Sequence, residues 1–407
     1  MRILVISNFY PPYYIGGYEL GCRDAVDSLK ARGHEVTVLT SYYGLDEPEL
    51  ENGIYRWLVN DFGWKNQNVL KNILLLLKKE IVNQSSLKHL LKKYHPDVVY
   101  IWNPNYVSLS LAFIAKDLHY ATCFFVFDDW VVSWETLDPW YVTWNKPCKK
   151  IRCCLAKLFF QLVVCLPKNS LDLKNVQFAS HYLKENALAY GKPVSDAQVI
   201  HWGLDISKFP LNPQIHNPIR LLYVGQVVPH KGVHIAIEAM NIIIKEYNLT
   251  SVTLSIVGGS VNPAYVNHLQ ALVSEYGLEK NIQFVGFISH DHLAEIYQEH
   301  DIFLFTSIWD EPFGITPLEA MSSGLAVIGT ATGGSSEIMH PENTALLYPK
   351  EDARVCAEQI MRLLRDPNLL DFIRKNGRKE VVRKFNIERT MDEIEYSLKM
   401  VILSQKS

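Results

Sequence analysis

The chain has 407 residues, 48% of them hydrophobic and 20% charged, with 40 Lys and Arg against 43 Asp and Glu for a net charge of -3. This is a globular composition with length for two domains. So balanced a charge excludes a protein that binds nucleic acid as a general polyanion.

Met1-Arg2 runs straight into Ile3-Leu4-Val5-Ile6, which reads as a first core strand rather than a secretory leader. Asn8 to Pro12 break that strand. Gly16-Gly17 then lead into a helix over about 18–32, and Glu35 to Leu39 read as the next strand. This is a strand, glycine loop and helix of the doubly wound type. The loop is not G-x-G-x-x-G and no acid stands at the usual ribose position, which weakens a nicotinamide reading. By themselves Gly16 and Gly17 need do no more than permit a turn.

Residues 42–65 are aromatic and irregular. From Asn66 to Tyr94 leucines and lysines alternate at helical spacing. Asp97 to Ile101 and Thr122 to Phe127 read as strands, the second ending at Asp128-Asp129-Trp130. The acid pair either caps the next turn or touches a ligand. No metal is expected there, because a divalent ion would need further oxygen ligands that the sequence does not supply.

Trp130, Trp134, Trp140 and Trp144 follow. They either line an acceptor cleft or pack on one another. Residues 146–166 then mix Lys146, Lys149, Lys150, Arg152 and Lys157 with Ile151, Leu155, Leu158, Phe159 and Phe160. That mix suits either an anionic membrane surface or a solvated basic edge. Cys148, Cys153 and Cys154 do not make two C-x-x-C pairs, so no zinc site is expected. The seven cysteines form no secreted framework, and a reducing cytoplasm is the expected compartment. No apolar run approaches the roughly 20 residues of a membrane span.

Val176 to Ala179 return as a strand, and Ser180 caps a helix that Gly191-Lys192-Pro193 terminates. Pro210 to Pro218 read as a linker. They divide a first domain, 1–210, from a second, 211–387, with a last helix at about 388–405. Arg220 to Gly225 open a fresh strand series that continues at Thr253, Ile282, Ile302 and Ala326.

The most informative stretch is Asp310-Glu311-Pro312-Phe313-Gly314-Ile315-Thr316-Pro317-Leu318-Glu319-Ala320-Met321. It follows the apolar strand Ile302 to Phe305 and opens a helix. Thr316 suits the N-cap, Pro317 the first helical position and Gly324 the C-terminal cap. The amides of Phe313, Gly314 and Ile315 would then lie at a helix N-terminus, which attracts anions. Glu311 and Glu319 bracket that site. Carboxylates beside a phosphate cradle are acceptors for sugar hydroxyls. Glu319 also fits a capping box with Thr316, which needs no ligand.

This E-P-F-G-I-T-P-L-E-A-M run resembles the signature of the family-four retaining glycosyltransferases of the GT-B type. The resemblance extends through most of 1–405. It implies two doubly wound Rossmann-like α/β domains facing across a cleft, the donor held mainly by the second, and a last helix that crosses back to the first. It implies that Glu311 holds donor-sugar hydroxyls and that Glu319 holds the ribose. It puts Lys231, in the run Gly225 to Gly232, on the diphosphate. Gln226 stands where the family has an arginine. Gly16 and Gly17, in P-P-x-x-x-G-G-x-E, approach the donor phosphate, and Asp128 stands where the family has a histidine near the sugar.

The activity so implied is metal-independent, retaining transfer of a hexose from a nucleotide-diphosphate sugar, with no other cofactor. The acceptor is a saccharide or lipid-linked saccharide, in cell-surface polysaccharide or glycolipid assembly. The expected place is the cytoplasm, with peripheral membrane contact through 146–166. Gln226 and Asp128 keep a non-catalytic sugar-nucleotide-binding subunit open as an alternative, beside an epimerase or hydrolase of the same architecture.

Overall fold

The computed structural model describes residues 1–63, 69–145, 164–165 and 170–406. The chain forms two compact units, Met1–Ile200 with Met391–Ser407, and His201–Thr390. Each is built on its own largely parallel sheet.

The first sheet holds β1 (Arg2–Ser7), β2 (Glu35–Ser41), β3 (Glu49–Glu51), β4 (Ile54–Leu58), β5 (Val98–Asn103), β6 (Thr122–Val126), β7 (Val176–Phe178) and β8 (Gln198–Val199). Their order is β3-β4-β2-β1-β5-β6-β7-β8. Residue Ile3 pairs with Val36 on one side and Val98 on the other. A strand with parallel neighbours and helices on both faces is buried on both, so Ile3 to Ile6 of β1 and Val98 to Trp102 of β5 are buried without a break. The irregular stretch 42–65 contributes β3 and β4, which pair antiparallel. The chain leaves β1 for β2 on one side and later returns to β5 on the other. Ligands bind beyond the carboxyl ends of strands at such a switch.

The second sheet holds β9 (Arg220–Val224), β10 (Thr253–Val257), β11 (Ile282–Gly286), β12 (Ile302–Phe305), β13 (Ala326–Gly329) and β14 (Ala345–Leu347), ordered β11-β10-β9-β12-β13-β14. Its switch point lies between β9 and β12. Helix Val233–Lys245 buries Val233, Ile235, Ala236, Ile237, Ala239, Met240 and Ile243 on the core made by these strands. Each such aliphatic side chain contributes about 1.5–3 kcal/mol when fully buried. A Cβ on Gly258 would fall 1.7 Å from the Gly225 carbonyl oxygen, so the loops after β9 and β10 meet backbone to backbone.

The stretch Pro210 to Pro218 is not a free tether. The Asn212 N–H donates to the Ser323 carbonyl at 2.9 Å, the His216 N–H donates to Asp301 at 2.8 Å, and Arg374 donates to the Asn212 carbonyl at 2.9 Å. These bonds fix the segment to the second unit.

Trp130, Trp134 and Trp140 are buried, and Trp140 stacks on Trp144 with ring centres 5.1 Å apart. The tryptophans pack among themselves and the core rather than facing an open surface. The basic segment 146–166 lies outside the described residues, apart from Val164 and Cys165, and so do Cys148, Cys153 and Cys154. Among the described residues no helix is long and apolar enough to cross a membrane.

Candidate functional site

In the second unit the loops at the switch point carry Lys231 and Glu311. The Lys231 Nζ lies 2.6 and 2.9 Å from the two Glu311 carboxylate oxygens. Both ends of this pair are held by backbone. Gly232 takes a left-handed φ of 67, and a Cβ there would fall 2.1 Å from the Thr306 carbonyl. Only glycine allows that approach. Thr306 in turn donates its hydroxyl to the Lys231 carbonyl at 2.7 Å. On the other side the Gly334 N–H donates to the Glu311 carbonyl at 2.7 Å. The Lys231 ammonium sits 5.8 Å from the centre of the Trp309 ring, close enough for a cation–π contact. Gln226 is exposed and neutral, and its carbonyl accepts from the Tyr223 hydroxyl.

The helix expected to start at Pro317 spans Ile315–Ser323. Its N-cap is Gly314, at φ 103, not Thr316, and it makes no side-chain cap bond. Gly324 closes it at φ 83, as expected. The reason for the earlier start is the glycine, which turns the chain into the helix where no other residue would. Among the described residues the Gly314 and Ile315 amides have no hydrogen-bond acceptor. Phe313 is buried, its ring stacked at 5.9 Å on His201.

Glu319 therefore lies inside the helix and serves no capping box. One carboxylate oxygen accepts from the Tyr297 hydroxyl at 2.8 Å, and the other is 2.8 Å from the His290 Nε2. Its side chain is 2% exposed. His290 and Tyr297 were not legible in the sequence, because they stand 29 and 22 residues away on other elements.

In the first unit, Gly16 and Gly17 open helix Gly17–Ala31 at the carboxyl end of β1. The Gly16 N–H donates to Glu19 at 2.9 Å. Glu19 is buried, and burial pushes its carboxyl up to about 7, with Asp128 adding to the rise against the Gly16 N–H. Asp128 follows β6. One of its oxygens caps the Trp130 N–H at 2.9 Å and the other accepts from Asn103 at 3.2 Å. Burial also pushes Asp128 up to about 7, with Asp129 adding to it. Gly16, Glu19, Asn103 and Asp128 thus stand along the carboxyl ends of neighbouring strands. Glu19 closes the P-P-x-x-x-G-G-x-E run, so the sequence held its signal.

A raised carboxyl holds its proton more tightly in the folded chain. The stability Asp128 contributes is fully present below pH 3.8 and is lost as pH rises through about 7. Asp128→Asn should therefore flatten the fall of melting temperature between those values. Equal slopes in the two proteins would show that Asp128 is not the group responsible.

Comparison with known proteins adds to this geometry. A family model described as glycosyltransferase family 4 matches residues 15–208, and one described as glycosyl transferases group 1 matches 207–380. The uncharacterized glycosyltransferase MJ1607 of Methanocaldococcus jannaschii is 24% identical over 97% of this chain and 96% of its own. The amylovoran biosynthesis glycosyltransferase AmsK of Erwinia amylovora is 28% identical over 45% of this chain, which spans about half of that relative, 46%. The structure of Anabaena Alr3699/HepE in complex with UDP and glucose superposes with a TM-score of 0.69 at 19% identity, covering 98% of this chain and 100% of that one.

Proposed function

We propose that this chain, which belongs to the group 1 glycosyltransferases of family four and the GT-B type, moves a hexose from a nucleotide-diphosphate sugar to a saccharide or lipid-linked acceptor with retention. The carrying observation is the Lys231–Glu311 pair, followed three and four residues on by the Gly314 and Ile315 amides that open the helix. It joins a cation and helix-terminal donors, which suit a diphosphate, to a carboxylate, which suits sugar hydroxyls. The reaction then needs positioning and charge stabilisation of the leaving diphosphate, supplied by Lys231 and backbone amides without a metal. The complex of HepE with UDP and glucose supports a nucleotide-sugar donor, and the AmsK relative supports polysaccharide assembly as the setting.

The neutral Gln226 favours one other reading, a subunit that binds the donor without turning it over. A thermal-shift panel of nucleotide sugars tests the binding that both readings share, because a bound ligand raises native stability. Turnover of the stabilising donor with a broad acceptor panel then separates them. In the same assay Glu319→Gln should lower donor affinity while the melting temperature without ligand stays close to wild type. Glutamine keeps one acceptor for Tyr297 but lacks the second carboxylate oxygen. Unchanged donor affinity would remove Glu319 from the site.

A further inference from the structure

We propose that the Lys231–Glu311 ion pair makes this site favour a nucleoside diphosphate that still carries its sugar over the same diphosphate without it. The inference rests on the donor-site reading above. The Lys231 charge is already satisfied inside the protein, by both oxygens of a carboxylate 2.6 and 2.9 Å away. The Glu311 side chain is 7% exposed and that of Lys231 24%. Gly232 against Thr306 and Gly334 against Glu311 hold the two backbones in place, so the pair opens by turning of the side chains and re-forms from the same loop positions. Gln226 offers no second cation to share the load.

A diphosphate and Glu311 therefore compete for one ammonium. When the diphosphate carries a sugar, the sugar's hydroxyls can donate to Glu311 as Lys231 turns to the phosphates. When the sugar is gone, Glu311 is left in a poorly hydrated place with no donor, and that loss is costly. The spent diphosphate is then displaced by re-formation of the internal pair. Glu311 so acts both on the sugar and on the departure of the product, a step that limits many enzymes.

The test is calorimetric titration of the full chain with UDP, ADP and GDP and with their hexose conjugates. With the base that binds, Glu311→Gln should tighten the free diphosphate on the order of tenfold, the scale of one close charge pair. It should not tighten the conjugate, so the preference for the conjugate collapses. In a Lys231→Ala background the same change should tighten nothing. Glu311→Ala, which also removes the competing charge, serves the same comparison should the glutamine variant fail to fold. Unchanged or weaker diphosphate binding in a folded Glu311 variant overturns the proposal alone. If the wild type binds none of the diphosphates or conjugates, the donor-site reading falls and this one with it.

Discussion

Lys231→Ala lowers turnover by a factor on the order of 10²–10³, the usual cost of removing one preorganised charge stabiliser from a transition state. Where the resemblance calls for an arginine the chain has Gln226, which is exposed and neutral. On the proposed reading Lys231 carries what two cations would otherwise share. Its position is set by the left-handed Gly232 and by the Thr306 hydroxyl on its carbonyl, so a lysine elsewhere on the loop does not replace it. Gln226→Arg should retain activity, since it adds charge of the right sign. Steady-state rates with a donor found by thermal shift check both. Near-normal turnover in Lys231→Ala would mean that the stabilising charge comes from elsewhere.

The largest loss of stability is expected at a different lysine. Lys79 is wholly buried, and its ammonium lies 2.6 Å from an Asp61 carboxylate that is 7% exposed. It also donates to the Tyr106 carbonyl. Removing one partner of such a pair leaves the other charged and unsolvated, at a cost of about 3–5 kcal/mol. Lys79→Ala should show this as a fall in the midpoint of chemical denaturation. The exposed pair between Arg354 and Glu246 is the control. Arg354→Ala should leave the midpoint nearly unchanged, because water screens both charges. Similar losses in the two variants would contradict the assignment of Lys79 as a structural charge.

The strands were the easiest elements to read. Runs such as Ile3 to Ile6 and Ile302 to Phe305 are apolar without alternation because parallel strands between helices have no wet face. Ser180 was equally legible, since an N-cap is local: its hydroxyl accepts from the Leu183 N–H three residues on. Locality also misled. Thr316 and Glu319 have the spacing of a capping box, but Gly314 starts the helix first and Glu319 turns to Tyr297 and His290. The charge pairs between distant residues, Lys79 with Asp61 and Lys231 with Glu311, left no local pattern. In the second pair each residue was legible through the motif around it, while their contact was not. Residues 42–65 hid β3 because an exposed three-residue strand such as Glu49–Glu51 has no hydrophobic period to betray it.

The membership of the last helix, Ile387–Lys406, bears on how the chain is made. Its residues from Met391 onward belong with Met1–Ile200. Arg32 bonds Asp392 at 2.6 Å, and His34 faces Glu395 at 3.3 Å. The second unit is thus, topologically, an insertion into the first. A ribosome delivers all of 201–390 before it delivers the segment that completes the amino-terminal unit. Domains usually fold in the order of their synthesis. Here the unit that emerges first is finished second, and until then the face that receives Met391 to Val401 is open to the cell.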